Sequence, residues 1–220
     1  MALPPRLPRL LPAAALLLAF ALGSSGCATV SSLNASARAL DTYELNPLPA
    51  AAGAGRSGGR LVFVAEPTAP AAVATDRIVL KPNALQVTLV GDGRWVEPAP
   101  AHVRNLLARS LANTGRYAFV TTGTVGPLPD FTVMTDLDAF EAQLLPREGG
   151  APARVVVSMT VSVVRDADGR LVASRRFSRS AEAQDTGASA IVAAFEAANG
   201  AVLREAVPWA TTVMTGAPGV

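Results

Sequence analysis

The sequence predicts an α+β domain built on one twisted mixed or antiparallel sheet, with two helices packed on one face of it. Three observations support this class. Several segments alternate apolar and polar residues with the two-residue period of a strand, and two others repeat apolar residues at helical spacing. Glycine, proline and asparagine separate these segments. One helix falls among the strands and one follows them, an order that favours helices lying on a single sheet.

The first half of the domain contains four short candidate strands. They lie at residues 42–47, 61–65, 77–80 and 84–90. Pro67 closes the second strand, and Pro82 and Asn83 separate the third from the fourth. The run Gly91-Asp92-Gly93 is expected to end the fourth strand, because glycine and aspartate are turn-forming residues.

Two segments have the periodicity of amphipathic helices. Residues 98–112 place Val103, Leu106 and Leu111 on one face, and Gly115 is a suitable stop after the last turn. Residues 188–207 carry a second apolar stripe formed by Ile191, Phe195, Ala198 and Val202. Pro208 is expected to end this helix. We expect Leu106 and Phe195 to share one core.

The clearest strands follow the first helix. After a short strand at residues 117–121, they occupy residues 131–145, 154–164 and 171–178. In the first of these three, Asp136 and Asp138 should occupy a polar face and Val133, Leu137 and Ala139 an apolar face. The second alternates valine and methionine with serine and threonine, which is typical of a sheet with one face in water.

The N-terminus has the order of a secretory signal: two arginines without an acid, an apolar run, small residues, and then Cys27, the only cysteine. A cysteine at this position is the one that bacterial lipoprotein processing acylates. Ordinary signal cleavage remains an alternative, since Ser24 stands where lipoprotein signals usually have leucine. The predicted organisation is a signal peptide at 1–26, a lipidated cysteine and tether at 27–41, one domain at 42–210 and a tail at 211–220.

Charge and hydropathy exclude two classes of protein. The chain has 19 basic and 17 acidic residues, and because the leader holds two of the arginines and no acid, the mature chain is neutral. Such a balance argues against a nucleic-acid partner, which requires a concentrated basic face. No segment after the leader approaches the ~20 apolar residues of a membrane span.

The sequence contains no recognisable catalytic or metal-binding constellation. His102 is the single histidine, and we expect it at the surface of the first helix. One histidine and one cysteine cannot form a zinc site. Asp166 and Asp168 resemble the start of a calcium loop, yet Phe177 stands where its bidentate acid is required, so a turn is favoured. The prediction is a protein that is not an enzyme and has no metal and no cofactor.

A basic cluster on the last strand is the candidate contact surface. Arg175, Arg176 and Arg179 surround Phe177. One interpretation is a solvated sheet edge, whose charges deter the addition of another strand. The other is a contact for anionic lipid head groups or for an acidic partner.

In this arrangement the chain resembles the ABC-type transport auxiliary lipoproteins, the PqiC/YmbA-like family, from about Tyr43 to Trp209. The segments that resemble this family include Tyr43-Glu44-Leu45, Leu61-Val62-Phe63-Val64 with Pro67, and Asp76-Arg77-Ile78. They continue with Arg94-Trp95-Val96, Leu137-Asp138-Ala139-Phe140-Glu141, the hairpin at 155–177, and the run from Ala193 to Ala198. Relatives often have an aromatic residue where Leu80 stands.

The resemblance implies a lipid-anchored periplasmic protein that works with an ABC ATPase, a permease and a mammalian-cell-entry (MCE) domain protein. Such systems move phospholipid or other hydrophobic molecules between the inner and outer membranes. The lipoprotein would dock the MCE protein, and a homo-oligomeric ring is compatible with this role. Ala28 follows Cys27 in place of the aspartate that retains lipoproteins at the inner membrane, which favours the outer membrane. The alternative is an envelope assembly or structural adaptor without a transport role.

Overall fold

The computed structural model describes residues 39–50, 59–145 and 153–217. The described residues form eight strands and two helices, all within one unit, Leu40–Val220. In chain order they are β1 Asp41–Tyr43, β2 Leu61–Val64, β3 Arg77–Asn83, β4 Gln86–Trp95, α1 Ala99–Asn113, β5 Phe119–Thr121, β6 Phe131–Leu144, β7 Ala153–Arg165, β8 Arg170–Glu182 and α2 Ala188–Gly216. The predicted α+β class is confirmed.

The long strand β6 organises the sheet. Along one edge it pairs with antiparallel β7, which in turn pairs with β8. The other edge of β6 is shared by two parallel strands, β2 beside its start and β3 beside its end. Strand β5 extends the sheet beyond β2, while β4 and then β1 extend it beyond β3. Parallel and antiparallel pairs therefore coexist, as the sequence predicts.

Alternation of side chains along β6 changes phase at Asp138. Val133 and Leu137 face the core while Asp136 and Asp138 face solvent, as predicted. A β-bulge then interrupts the pairing with β7 between Leu137 and Ala139. Because a bulge inserts one extra residue, the inward side chain after it is Phe140, and the prediction that Ala139 faces the core is wrong.

Strand β4 does not end at Gly91-Asp92-Gly93 as expected from the turn-forming residues; it continues to Trp95. The three residues lie in an irregularity of the β3–β4 pairing, which places Leu89 opposite Val79 and Arg94 opposite Arg77. Beyond the irregularity, β4 gains a new neighbour in β1. This second partner lets the strand continue through a sequence that favours a turn.

The two helices and the inner face of the sheet enclose one hydrophobic core. Leu106 and Phe195 both belong to it, as predicted. Phe195 lies 4.7 Å from the ring of Phe140 and 5.0 Å from that of Trp95, measured between ring centroids. The core therefore joins residues from β4, β6 and α2 at one aromatic cluster.

Helix α2 continues past Pro208 to Gly216, so the prediction that Pro208 ends it is wrong. Proline within a helix removes one amide donor and leaves the carbonyl of the residue four positions earlier without its partner. That residue is Arg204, and both Arg204 and Pro208 lie on the exposed side of α2. Water can bond the carbonyl there, while Val207, Ala210 and Met214 remain buried on the opposite side.

Candidate functional site

The arginines of the predicted contact surface lie on both faces of β8. Arg175, Phe177 and Arg179 stand opposite Val161, Met159 and Val157, whose side chains point towards the core. Arg176 is opposite Thr160 and points to the outer face, where its Nε lies 3.3 Å from the carboxylate of Asp138. The structure therefore does not bring the three arginines together on one surface.

Phe177 is a buried residue at the junction between β8 and α2. Its ring lies 5.5 Å from the ring of Trp209 in an edge-on arrangement, and the Arg175 guanidinium lies 5.1 Å from its centroid. Arg179 forms an ion pair with Glu205 of α2. Phe177 and Arg179 thus attach the edge strand to the helix, and Arg175 is the member of the cluster without an acidic partner among the described residues.

The outer face of the long hairpin is polar and internally bonded. Thr132 donates to Asp166, Thr68 donates to Asp136, and the Ser162 and Ser174 hydroxyls lie 2.9 Å apart. Glu141 differs from the two aspartates on its strand, since it is nearly buried and its Oε2 is 2.8 Å from Lys81 Nζ. Each of the three acids on β6, Asp136, Asp138 and Glu141, has a hydrogen-bonding or ionic partner. The described residues contain no cluster of side chains suited to binding a metal ion.

His102 is buried, which contradicts its predicted surface position. Its imidazole stacks on Trp95, and its Nε2 accepts a hydrogen bond of 3.0 Å from the backbone N–H of Leu45. That bond requires the proton of the neutral ring to sit on Nδ1, which faces Glu97 Oε1 at 3.6 Å. Burial lowers the pKa of His102, against the smaller opposing effect of the carboxylates of Glu97, Glu44 and Glu196.

Polar residues on α1 hold the extended segment that follows β1. Besides the bond from Leu45 to His102, Ser110 Oγ accepts from the N–H of Leu48 and Asn113 Nδ2 donates to the carbonyl of Leu48. Backbone groups in a segment without a strand neighbour need such partners when they are covered by protein. His102 therefore has a structural role, and no nucleophile contacts it among the described residues.

A cavity of about 310 Å³ lies beside this segment. Its polar lining consists of Glu44, Glu97, His102, Asn105, Arg109 and Thr122. Arg109 pairs with Glu44 across it, while Asn105 donates to Glu97. The charged groups around the cavity thus satisfy one another, and none is an isolated acid or base suited to proton transfer.

The most exposed apolar side chain among the described residues lies at the tip of the β3–β4 hairpin, which the sequence predicted as two strands without an assigned function. Leu85 at the tip is 98% exposed, while Val87 and Leu89 are 46% and 44% exposed. These residues alternate in the sequence, which would have indicated a common face. Their exposure could not be predicted, because the same pattern is typical of a core strand.

Two further findings concern the membrane. Neither described helix combines the length and the hydropathy that a bilayer span requires. Cys27, the predicted lipidation site, and the leader before it lie outside the described residues. Lipidation of Cys27 therefore stays a prediction.

Solved structures share this arrangement of strands and helices and define it as a known α+β fold. Protein XCC0632 from Xanthomonas campestris, of the DUF330 family, has a TM-score of 0.68 and 24% identity, over 80% of this chain and 95% of its own. A second, uncharacterised protein has a TM-score of 0.57 and 19% identity, over 80% of this chain and 99% of its own. At these identities the likeness concerns the fold. No curated protein sequence matches the chain.

The family follows from the sequence match. Residues 43–207 match the ABC-type transport auxiliary lipoprotein component family, a span from β1 to within α2. The chain belongs to this family. It is accordingly a transport-associated lipoprotein of the cell envelope, of a family described by an auxiliary role in transport.

Proposed function

We propose that this protein is the lipid-anchored periplasmic auxiliary component of an ABC/MCE-type transporter, and that it docks the MCE protein of that system. The transported molecules would be phospholipids or other hydrophobic molecules that move between the inner and outer membranes. The observation on which the proposal rests is the family match over residues 43–207. A permease and an ATPase would complete the assembly, with the outer membrane as the location of the anchor.

The described surface suits a docking role better than chemistry. The buried histidine has a backbone partner, the charged groups around the cavity beside α1 are paired, and the acids of β6 have hydrogen-bonding or ionic partners. Interfaces are distinguished by local apolar and aromatic or arginine-containing surface rather than by overall charge. The exposed hairpin and the β8 edge both supply such surface.

Copurification tests the proposal. The protein, tagged at its C-terminus, is extracted from native envelopes under gentle detergent, and the recovered proteins are identified by mass spectrometry. We expect an MCE-domain protein together with a permease and an ATPase. Recovery of envelope proteins without any transporter subunit would contradict the proposal and favour the structural adaptor.

The arginines of β8 provide variants for the same experiment. Arg175→Glu reverses the charge of the cluster member that has no acidic partner among the described residues, so recovery of the MCE protein should fall severalfold if this edge is the contact. Arg176→Glu on the opposite face is the matched control, and we expect a smaller effect from it. Equal recovery with both variants and the wild type would remove β8 from the interface. Circular dichroism verifies that each variant is folded.

A further inference from the structure

Residues 44–48 leave the sheet at the end of β1 and cross over α1 without entering another strand. We infer that this segment, the strap, is a pH-sensitive closure: it is fastened to α1 while the His102 ring is neutral, and it detaches when that ring takes up a proton. The inference goes beyond the proposed function, because it concerns the domain alone and requires no transporter subunit.

Side chains of the two helices hold the backbone of the strap. The N–H groups of residues 45, 46 and 48 donate in turn to His102 Nε2, Glu196 Oε2 and Ser110 Oγ, each at 3.0 Å. Serine does not titrate, and histidine is the side chain whose charge ordinarily changes between about pH 5 and 8. The bond to His102 is therefore the fastening that acidification reaches first.

Protonation turns the acceptor of this bond into a donor. In the neutral ring Nδ1 carries the proton and faces Glu97 Oε1 at 3.6 Å, which leaves the lone pair of Nε2 for the N–H of Leu45. The imidazolium carries a proton on both nitrogens. Turning the ring over cannot restore an acceptor, so two N–H donors would face each other across the former bond. Either the strap or the ring has to move away.

The strap is the side that can move. The His102 ring is 2% exposed and stacks on Trp95, and α1 also buries Leu107 in the core, so displacing the ring would disturb the whole helix. The strap has a smaller attachment, because Leu45 is its only buried side chain and its neighbour Asn46 is exposed. Local openings occur in segments with few buried apolar contacts.

The charges around the ring set the direction of the pH effect. Carboxylates act on it from three elements: Glu97 before α1, Glu44 of the strap and Glu196 of α2. Burial outweighs their attraction and lowers the pKa of His102 from 6.5 in the closed form. When the strap opens, water reaches the ring and it binds a proton more readily. The closure is therefore at full strength above about pH 6.5 and weakens as the pH falls towards the lowered value.

Release of the strap changes the cavity beside α1. Glu44 forms part of the wall of this cavity of about 310 Å³ and pairs with Arg109, Oε1 to Nη1, at 3.3 Å. Detachment of the strap takes Glu44 away with it. The cavity then loses one wall, and Arg109 loses the acid with which it pairs in the closed form. Acidification thus converts a closed, internally paired cavity into an open one that presents a cation.

Hydrogen exchange followed by mass spectrometry tests the inference on the full-length protein in mild detergent. Peptides from the strap and from β7 are compared at several pH values from about 7.5 to 5.5, after correction for the intrinsic pH dependence of amide exchange. We expect protection of the strap amides to fall by up to about tenfold per pH unit below about pH 6.5. The amides of β7 should stay protected over the same labelling times, since they exchange only through much rarer openings.

Two variants separate the titration from the fastening. His102→Gln keeps an acceptor for Leu45 but does not titrate, so protection of the strap should become nearly independent of pH. Ser110→Ala is the matched control, because it removes a fastening that does not titrate. It should lower protection of the strap at every pH and keep the slope of the wild type.

Three results would overturn the inference. The first is a wild-type strap whose corrected protection does not change with pH. The second is a loss of protection in β7 that accompanies the loss in the strap, which would indicate unfolding of the whole domain. The third is an unchanged slope in His102→Gln. Since the sample contains no transporter subunit, each result is independent of whether an MCE protein copurifies.

Discussion

His102 illustrates how a single polar residue is determined by its partners in space. Its position within an amphipathic helix predicts a solvated side chain, yet the ring lies against Trp95 and accepts the N–H of Leu45, 57 positions earlier in the sequence. Polar groups are buried where they are hydrogen-bonded. The segment after β1 needs an acceptor, and the neutral imidazole supplies it.

This arrangement predicts a pH dependence of stability. Burial lowers the pKa of His102 from its ordinary value of 6.5, so the unfolded chain binds a proton more readily than the folded one. The free energy of unfolding should therefore fall as pH decreases below about 6.5, with a slope of up to about 1.4 kcal/mol per pH unit. Denaturant unfolding of the mature protein between about pH 7.5 and 5 measures this slope.

His102→Gln is the control for that titration. The glutamine amide oxygen can accept the hydrogen bond of Leu45, but it does not titrate. We expect the variant to be less stable near neutral pH and to lose less stability on acidification than the wild type. Identical slopes for the two proteins would show that another group causes the pH dependence.

At the scale of elements, the packing of α2 on the sheet depends on Gly93, which lies in the irregular part of β4. A side chain at Gly93 would place its Cβ 2.7 Å from that of Ala188, the first residue of α2, and 3.1 Å from the ring of Tyr43. Glycine here allows β4 to pass directly under the start of the helix. Gly91, two residues earlier in the same strand, has open space around it.

These two glycines form a matched pair for mutation. Gly93→Ala should destabilise the protein by about 1–3 kcal/mol, as overpacked core sites do, because neither the helix nor the strand can move away independently. Gly91→Ala should change the free energy of unfolding by less than about 0.5 kcal/mol. Urea unfolding followed by circular dichroism measures both. A loss of stability at Gly91 as large as that at Gly93 would contradict the packing of α2 on β4.

At the scale of the whole molecule, we propose separate tasks for the predicted anchor and for the domain. The described residues contain no membrane-spanning helix. The proposed lipid anchor is Cys27, which lies outside the described residues. One acyl chain gives only marginal binding, and the two or three chains of a processed lipoprotein give stable residence. The domain would then supply specificity through local surfaces, since the chain after the predicted leader has no net charge.

Membrane fractionation tests the anchor. We expect wild-type protein in the outer-membrane fraction and Cys27→Ser in the soluble fraction, since the variant cannot be acylated. Ala28→Asp should move the protein towards the inner membrane in a host with the usual sorting rule. Equal membrane retention of the wild type and Cys27→Ser would rule out Cys27 as the anchor.

The sequence alone determined the α+β class, the approximate positions of both helices and of the long hairpin, and the family. Local periodicity produces these features, because the spacing of apolar residues indicates which face each element buries. The neutral balance of the mature chain and the polar outer face of the hairpin are likewise readable from residues that need no distant partner.

Only the tertiary structure decided where local preference yields to packing. Gly91-Asp92-Gly93 and Pro208 are local stop signals, but β1 extends β4 beyond the first and the buried face of α2 extends the helix beyond the second. The burial of His102, the division of the β8 arginines between two faces and the exposure of Leu85 also depend on distant neighbours. Contacts between residues far apart in sequence set these features, and periodicity contains no information about such contacts.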